Sequence, residues 1–261
     1  MRKPWTPREE PTLSVLSIDL AHKDYADIGV CVLRQSGDDI EATPVHLASL
    51  GLTGEPDLND LAATICNVAR QHDVRLVLID GPQAWKSPDN GLLHSRRCER
   101  ELATPGKTGV PGVTKPGNYA WFITFAIELF DLLADLGWPR LPNKAALTPT
   151  NQFALESFPT SAWRYLGLTP LPGKGRTPHT TVQAKSTELC KLFPLSCPND
   201  LTHDELQAIV AGLAGIAAEG HPACQFRLSG IAPFELDGFW REGFIINPVR
   251  INSHAVVSSS T

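Results

Sequence analysis

The sequence predicts a single α/β domain in which a mixed sheet is covered by helices on both faces. Three observations predict it. An apolar hairpin signal opens the chain, an amphipathic segment then leads into a compact β-branched strand, and helix–strand alternation continues through most of the 261 residues. Composition agrees: 42% hydrophobic and 20% charged residues are the balance of a globular chain, not of a disordered one.

The elements follow in order. Residues 13–20 (Leu-Ser-Val-Leu-Ser-Ile-Asp-Leu) have little polar alternation, as expected of a strand buried on both sides. Residues 27–34 follow a polar turn and fit an antiparallel partner, and a third strand fits Ile40–Leu47 after Gly37-Asp38-Asp39. Apolar residues at helical spacing then run from Asp57, a candidate N-cap, to His72. Val74–Ile79 is a strand closed by the turn Asp80-Gly81-Pro82. Residues 104–117 hold four glycines and three prolines and read as a loop that cannot propagate a ladder. Asn118 is placed to cap a helix with an apolar face of Trp121, Phe122, Phe125, Leu129, Leu132, Leu133 and Leu136. Gln152–Phe158 is a short strand stopped by Pro159, and Leu168–Pro178 is a second loop. Helices fit Thr180–Leu192 and Asp204–Glu219, and the last strand candidate is Gly243–Ile246. The expected domain is 12–250, with a flexible tail at 251–261. Its architecture is a mixed five-stranded sheet flanked by helices on both faces, the order of a ribonuclease-H-like core. Periodicity alone also permits other α/β folds.

Several function classes are excluded. No apolar run approaches the roughly 20 residues that span a bilayer. The first ten residues lack a signal-peptide core, so the expected location is cytoplasmic, with no membrane partner. Six scattered cysteines show neither C-x-x-C nor zinc spacing and read as core thiols. The net charge of −5 is uneven: residues 96–191 carry 12 Lys and Arg against 7 Asp and Glu, while both flanks are acidic. Such a chain is no general duplex-coating protein, although its basic middle can hold phosphates. Gly106-Lys107-Thr108 is not a phosphate-binding loop, because the first glycine of that motif falls at Glu101.

Four acids stand out by position. Asp19 and Asp80 end successive buried strands, Glu156 lies in a third, and Asp204 opens a helix whose face carries Ala208, Ala211, Gly212 and Gly215. Functional groups of open α/β sheets gather at strand ends, and small residues let a helix approach the sheet closely. Carboxylates gathered in a partly dry site either hold a proton or bind a divalent cation. Oxygen ligands favour magnesium or manganese. Each acid also has a purely structural reading. Asp19 and Asp80 suit turns, Glu156 can pair with Arg164 or Lys144, and Thr202-His203-Asp204-Glu205 fits a capping box.

Taken in order, Ser-Ile-Asp19-Leu-Ala, Ile-Asp80-Gly-Pro, Arg96-Arg97-Cys98-Glu99-Arg100, Glu156-Ser-Phe-Pro159, His203-Asp204-Glu-Leu-Gln-Ala208 and Glu242-Gly-Phe-Ile-Ile-Asn-Pro248 resemble the family called domain of unknown function 429, described as predicted nucleases of ribonuclease H fold. The resemblance spans about residues 13–248. It implies Asp19, Asp80, Glu156 and Asp204 as catalytic metal ligands and a nucleic acid or nucleotide substrate. The chain departs from the family pattern at Glu99, where Asp is usual. Arg96, Arg100, Lys174 and Arg176 are expected to hold phosphate. The expected function is a divalent-metal-dependent nuclease or phosphodiesterase. The alternatives are a nucleotide-binding phosphotransferase, which would need glycines after Asp19 that Ala21-His22-Lys23 does not supply, and a non-catalytic binding or scaffold protein that has lost its metals.

Overall fold

The computed structural model describes residues 13–148 and 150–251; the tail expected at 251–261 lies, from residue 252, outside the described residues. In chain order the elements are β1 (Ser14–Asp19), β2 (Gly29–Ser36), β3 (Asp39–Pro44), α1 (Leu58–Gln71) and β4 (Leu76–Asp80), followed by α2 (Arg97–Leu102), β5 (Lys107–Val110), β6 (Val113–Lys115) and α3 (Ala120–Asp135). They continue with β7 (Phe153–Ser157), α4 (Pro159–Tyr165), α5 (His179–Leu192), β8 (Leu195–Ser196), α6 (His203–Ala218), β9 (Gln225–Leu236) and β10 (Phe239–Val249). One mixed sheet has eight strands, not the expected five, in the order β8-β3-β2-β1-β4-β7-β10-β9. β1, β4, β7 and β10 run parallel, and β2 and β9 are antiparallel to their inner neighbours.

Strand alternation sorts the core into two layers. Val15, Leu76, Leu78 and Leu155 pack beneath α4, α5 and α6. Leu16, Ile18, Val77, Ile79 and Ala154 point the other way, into a layer completed by α1 and α3. Burial on both faces is why β1 and β4 read as continuous apolar runs. α6 sits unusually deep in its layer. A Cβ added at Gly212 would crowd Leu33 and Ser17, one at Gly215 would crowd Val15 and Leu78, and one at Gly29 would overlap the Asp204 carbonyl.

The structure corrects the sequence reading in four places. Residues 107–115 do form a ladder, the small β5–β6 hairpin, because its glycines occupy the turn and a bulge instead of breaking pairing. Pro159 does not merely stop a strand but begins α4, where a missing N–H costs nothing. The chain after Cys224 forms a long hairpin, β9–β10, far beyond the expected Gly243–Ile246. Trp121, placed on the apolar face of α3, is instead 80% exposed. Among the described residues no helix is long and apolar enough to cross a membrane.

Candidate active site

Asp19 and Asp80 are the last residues of β1 and β4, and the parallel register pairs them directly. Being two residues beyond Ser17 and Leu78, both lie on the α6 side of the sheet. Asp204 reaches them from the first turn of α6, which rests on Gly29, the β2 residue paired with Asp19. One ligand atom from each of Asp19, His203 and Asp204 lies within 4.8 Å of the others.

The capping box at the start of α6 forms as its sequence suggests. The Glu205 amide donates to the Thr202 hydroxyl at 3.2 Å, and the Thr202 amide donates to Glu205 Oε2 at 2.8 Å. Capping therefore falls to Glu205 and leaves the Asp204 carboxylate to face the sheet edge. His203 Nδ1 lies 2.9 Å from Asp204 Oδ1, and its Nε2 lies 3.0 Å from the Pro172 carbonyl. Lys174, on the short 3-10 turn Lys174–Arg176, bridges Asp204 and Asp27, donating to Asp27 Oδ1 at 2.6 Å.

The electrostatics differ across this group. Burial, then the Asp80 and Asp204 charges, push the Asp19 carboxyl well above the usual range. Burial pushes Asp80 up to about 7, against the hydrogen bond it shares with Asp19. Burial also opposes ionisation of Asp204, but hydrogen bonds from His203 and Lys174 outweigh it and hold that carboxyl below its ordinary value.

Glu156, expected as the fourth ligand, does not join them. In β7 it pairs with Ile79, one residue short of Asp80, so the pleat turns it to the opposite face of the sheet. There Arg96 grips it through two bonds, Nη1 to Oε2 at 2.7 Å and Nη2 to Oε1 at 2.6 Å, and the Gln83 amide adds a third at 3.0 Å. Arg96, expected to hold phosphate, is 1% exposed and also donates from Nε to Glu99 at 3.0 Å. No surface of it is left for a substrate. Ser157 takes the place opposite Asp80, and its buried hydroxyl has no partner among the described residues. Arg100 and Arg176 are exposed and make no ion pair among the described residues.

Two features of the site differ from the sequence reading. The pair His203-Asp204 reads there as part of the capping box or as metal ligands of an all-helical phosphohydrolase, a fold the strands argue against, and Lys174 reads as a phosphate ligand, not as the counter-ion of Asp204. The signal for His203 is positional: a residue preceding a first-turn acid shares its end of the helix.

No protein-family model matches the chain, and no curated protein matches it. Among solved structures it is similar to that of RuvC from Thermus thermophilus, with a TM-score of 0.37 and 13% identity over 77% of this chain and 91% of that one. At that distance the site has to be read from its own geometry.

Proposed function

We propose that the chain is a divalent-cation-dependent phosphodiesterase or nuclease of ribonuclease-H-like architecture, related to the domain of unknown function 429 family. The observation that carries this reading is that Asp19 pairs with Asp80 across the ends of β1 and β4 and meets Asp204 within 4.8 Å, with no arginine in an ion pair to them among the described residues. The order β3-β2-β1-β4-β7, with β2 alone antiparallel to the central strands and an acid at the ends of β1 and β4, supports the architecture.

The donor set fits a hard cation. Asp19 and Asp204 supply carboxylate oxygens and His203 adds a borderline nitrogen, with Asp80 beside Asp19 at the end of the paired strand, a combination suited to magnesium or manganese. When bound, such an ion supplies Lewis acidity toward a phosphoryl oxygen and a more acidic water. The residues provide the rest. Asp204, held below its ordinary value by His203 and Lys174, would anchor one side of such a centre, and the raised carboxyls of Asp19 and Asp80 would have to be deprotonated to hold an ion there. Lys174 and Arg176, on one exposed turn, offer positive charge to a substrate phosphate once Lys174 leaves Asp204.

The test is a manganese-supported cleavage screen of single-stranded, duplex and junction oligonucleotides, run beside Asp19→Asn. Cleavage that requires manganese and vanishes in a folded Asp19→Asn protein is expected. Equal activity in that variant would place the chemistry elsewhere.

A further inference from the structure

Beside the carboxylates lies a cavity of about 470 Å³, inside the range of small-ligand sites (about 300–1,000 Å³). Asp80 belongs to both, so whatever fills the cavity adjoins the proposed reaction centre. Its walls are mostly apolar and aromatic, from Leu20, Tyr119, Phe122, Ile123 and Phe158, with the carboxylates of Asp27 and Glu156 beside Asp80. The aromatic groups are braced before any ligand arrives. The Phe122 ring lies 5.9 Å from that of His22, centroid to centroid, and the Gly106 backbone lies so close to the Tyr119 ring that an added Cβ would come within 3.1 Å of it. A second hollow follows, lined by the exposed Trp121, by Phe125 and Thr124, and by the acids Glu55 and Glu128. His22 and Lys23 line both.

Aromatic faces hold unpaired bases because every base has a π-face, and Lys23, between the two hollows, is the one lysine or arginine lining them that can meet a linkage's charge. A paired base cannot enter a recess of this kind without leaving its stack. We propose that this cavity seats an unstacked nucleobase next to the scissile phosphate, that the Trp121 hollow takes the neighbouring base, and that the substrate is therefore an unpaired strand. The inference rests on the phosphodiesterase reading for its orientation.

Binding distinguishes the two. Fluorescence anisotropy of the full chain with calcium, at one salt concentration, compares a labelled oligothymidylate with a tetrahydrofuran–phosphate oligomer of equal length and charge, and with a duplex. The oligothymidylate should bind at least ten-fold tighter than the base-free oligomer and tighter than the duplex. Phe122→Leu, which keeps apolar volume, and Tyr119→Leu, at a 42% exposed position, should each cut that preference several-fold while circular dichroism stays native. Equal binding of the base-free oligomer, preference for the duplex, no binding at all, or leucine variants that keep the full preference would each overturn the inference. Loss of Asp19-dependent cleavage in the screen above, with the base preference intact, would instead strike the phosphodiesterase reading and leave a single-strand-binding surface.

Discussion

Two groups of acids lie on opposite faces of the same few strands, and the fold treats them in opposite ways. Glu99, Glu156 and Glu242 are sealed in and satisfied. Arg96 neutralises the first two, while Glu242 accepts from the Ser87 amide at 3.0 Å, the Arg97 amide at 2.8 Å and Asn90 at 2.5 Å. Asp19, Asp80 and Asp204 are half-buried to buried, crowd one another, and among the described residues have Lys174 and His203 as their only basic partners. The first group holds the 81–96 loop to α2 and β10. The second accumulates repulsion that a cation would relieve. Residue type does not tell the two groups apart; compensation does.

The contrast is broken most severely by removing the arginine. Arg96→Met leaves two buried carboxylates unpaired, which should destabilise by about 3–5 kcal/mol. That corresponds to a melting temperature lower by roughly 6–20 °C for a domain of this size. Adding Glu99→Gln and Glu156→Gln should recover most of the loss, since the charge is what lacks a partner. Thermal unfolding of the single and triple variants checks both.

At the other group the sign reverses. In EDTA, Asp19→Asn should melt higher than the parent, by about 0.5–2 kcal/mol, because it removes a buried carboxyl crowded by Asp80 and Asp204. With manganese the order should invert: the parent gains about 2.7 kcal/mol at a hundred times its dissociation constant, and the variant gains almost nothing. A parent indifferent to millimolar manganese would remove the distinction between the two groups.

A pH series sharpens it further. Unfolded carboxyls release their protons near pH 4. In the folded, metal-free chain the Asp19–Asp80 pair retains protons, with Asp80 at about 7. The folded state binds more protons across that interval, so stability should fall as pH rises from about 4 to beyond 7. Asp204 acts oppositely, its contribution present above the ordinary carboxyl range and lost as pH falls through its depressed value. Melting of the parent against an Asp19→Asn, Asp80→Asn double variant in EDTA should show the gap widening with pH.

The smallest effect belongs to Lys174. Its side chain is 49% exposed, and such pairs contribute about 0–1 kcal/mol. Lys174→Met should therefore tighten manganese by no more than a few-fold in calorimetry, by removing a competitor for Asp204.

Much of the framework was legible because it rests on local pattern. β1, β2, β4 and α1 announce themselves through apolar runs, turn residues and the Asp57 cap, which accepts from the Asn59 and Asp60 amides. Asp19, Asp80 and Asp204 were readable from their positions at element ends. Glu156 was misassigned because a single step of register decides which face an acid occupies, and register is fixed by pairing across the sheet. β9 was unreadable for a related reason. As an edge strand half open to solvent it tolerates Pro233, Gly230 and several polar residues, so its periodicity never emerges. The Lys174 contact with Asp204 joins a loop to a helix across 30 residues, a distance no spacing rule covers.

Gly29 shows what an inventory of reactive groups overlooks. It contributes no atom to the chemistry, yet the helix bearing Asp204 settles onto it as a lid settles onto a recessed rim. A homologous chain that kept all three aspartates but carried alanine at this point would retain every ingredient and lose the assembly, its helix propped a methyl group's height above the edge. Searches for chains that carry the same acidic cluster should therefore ask for a missing side chain as well as for acidic ones.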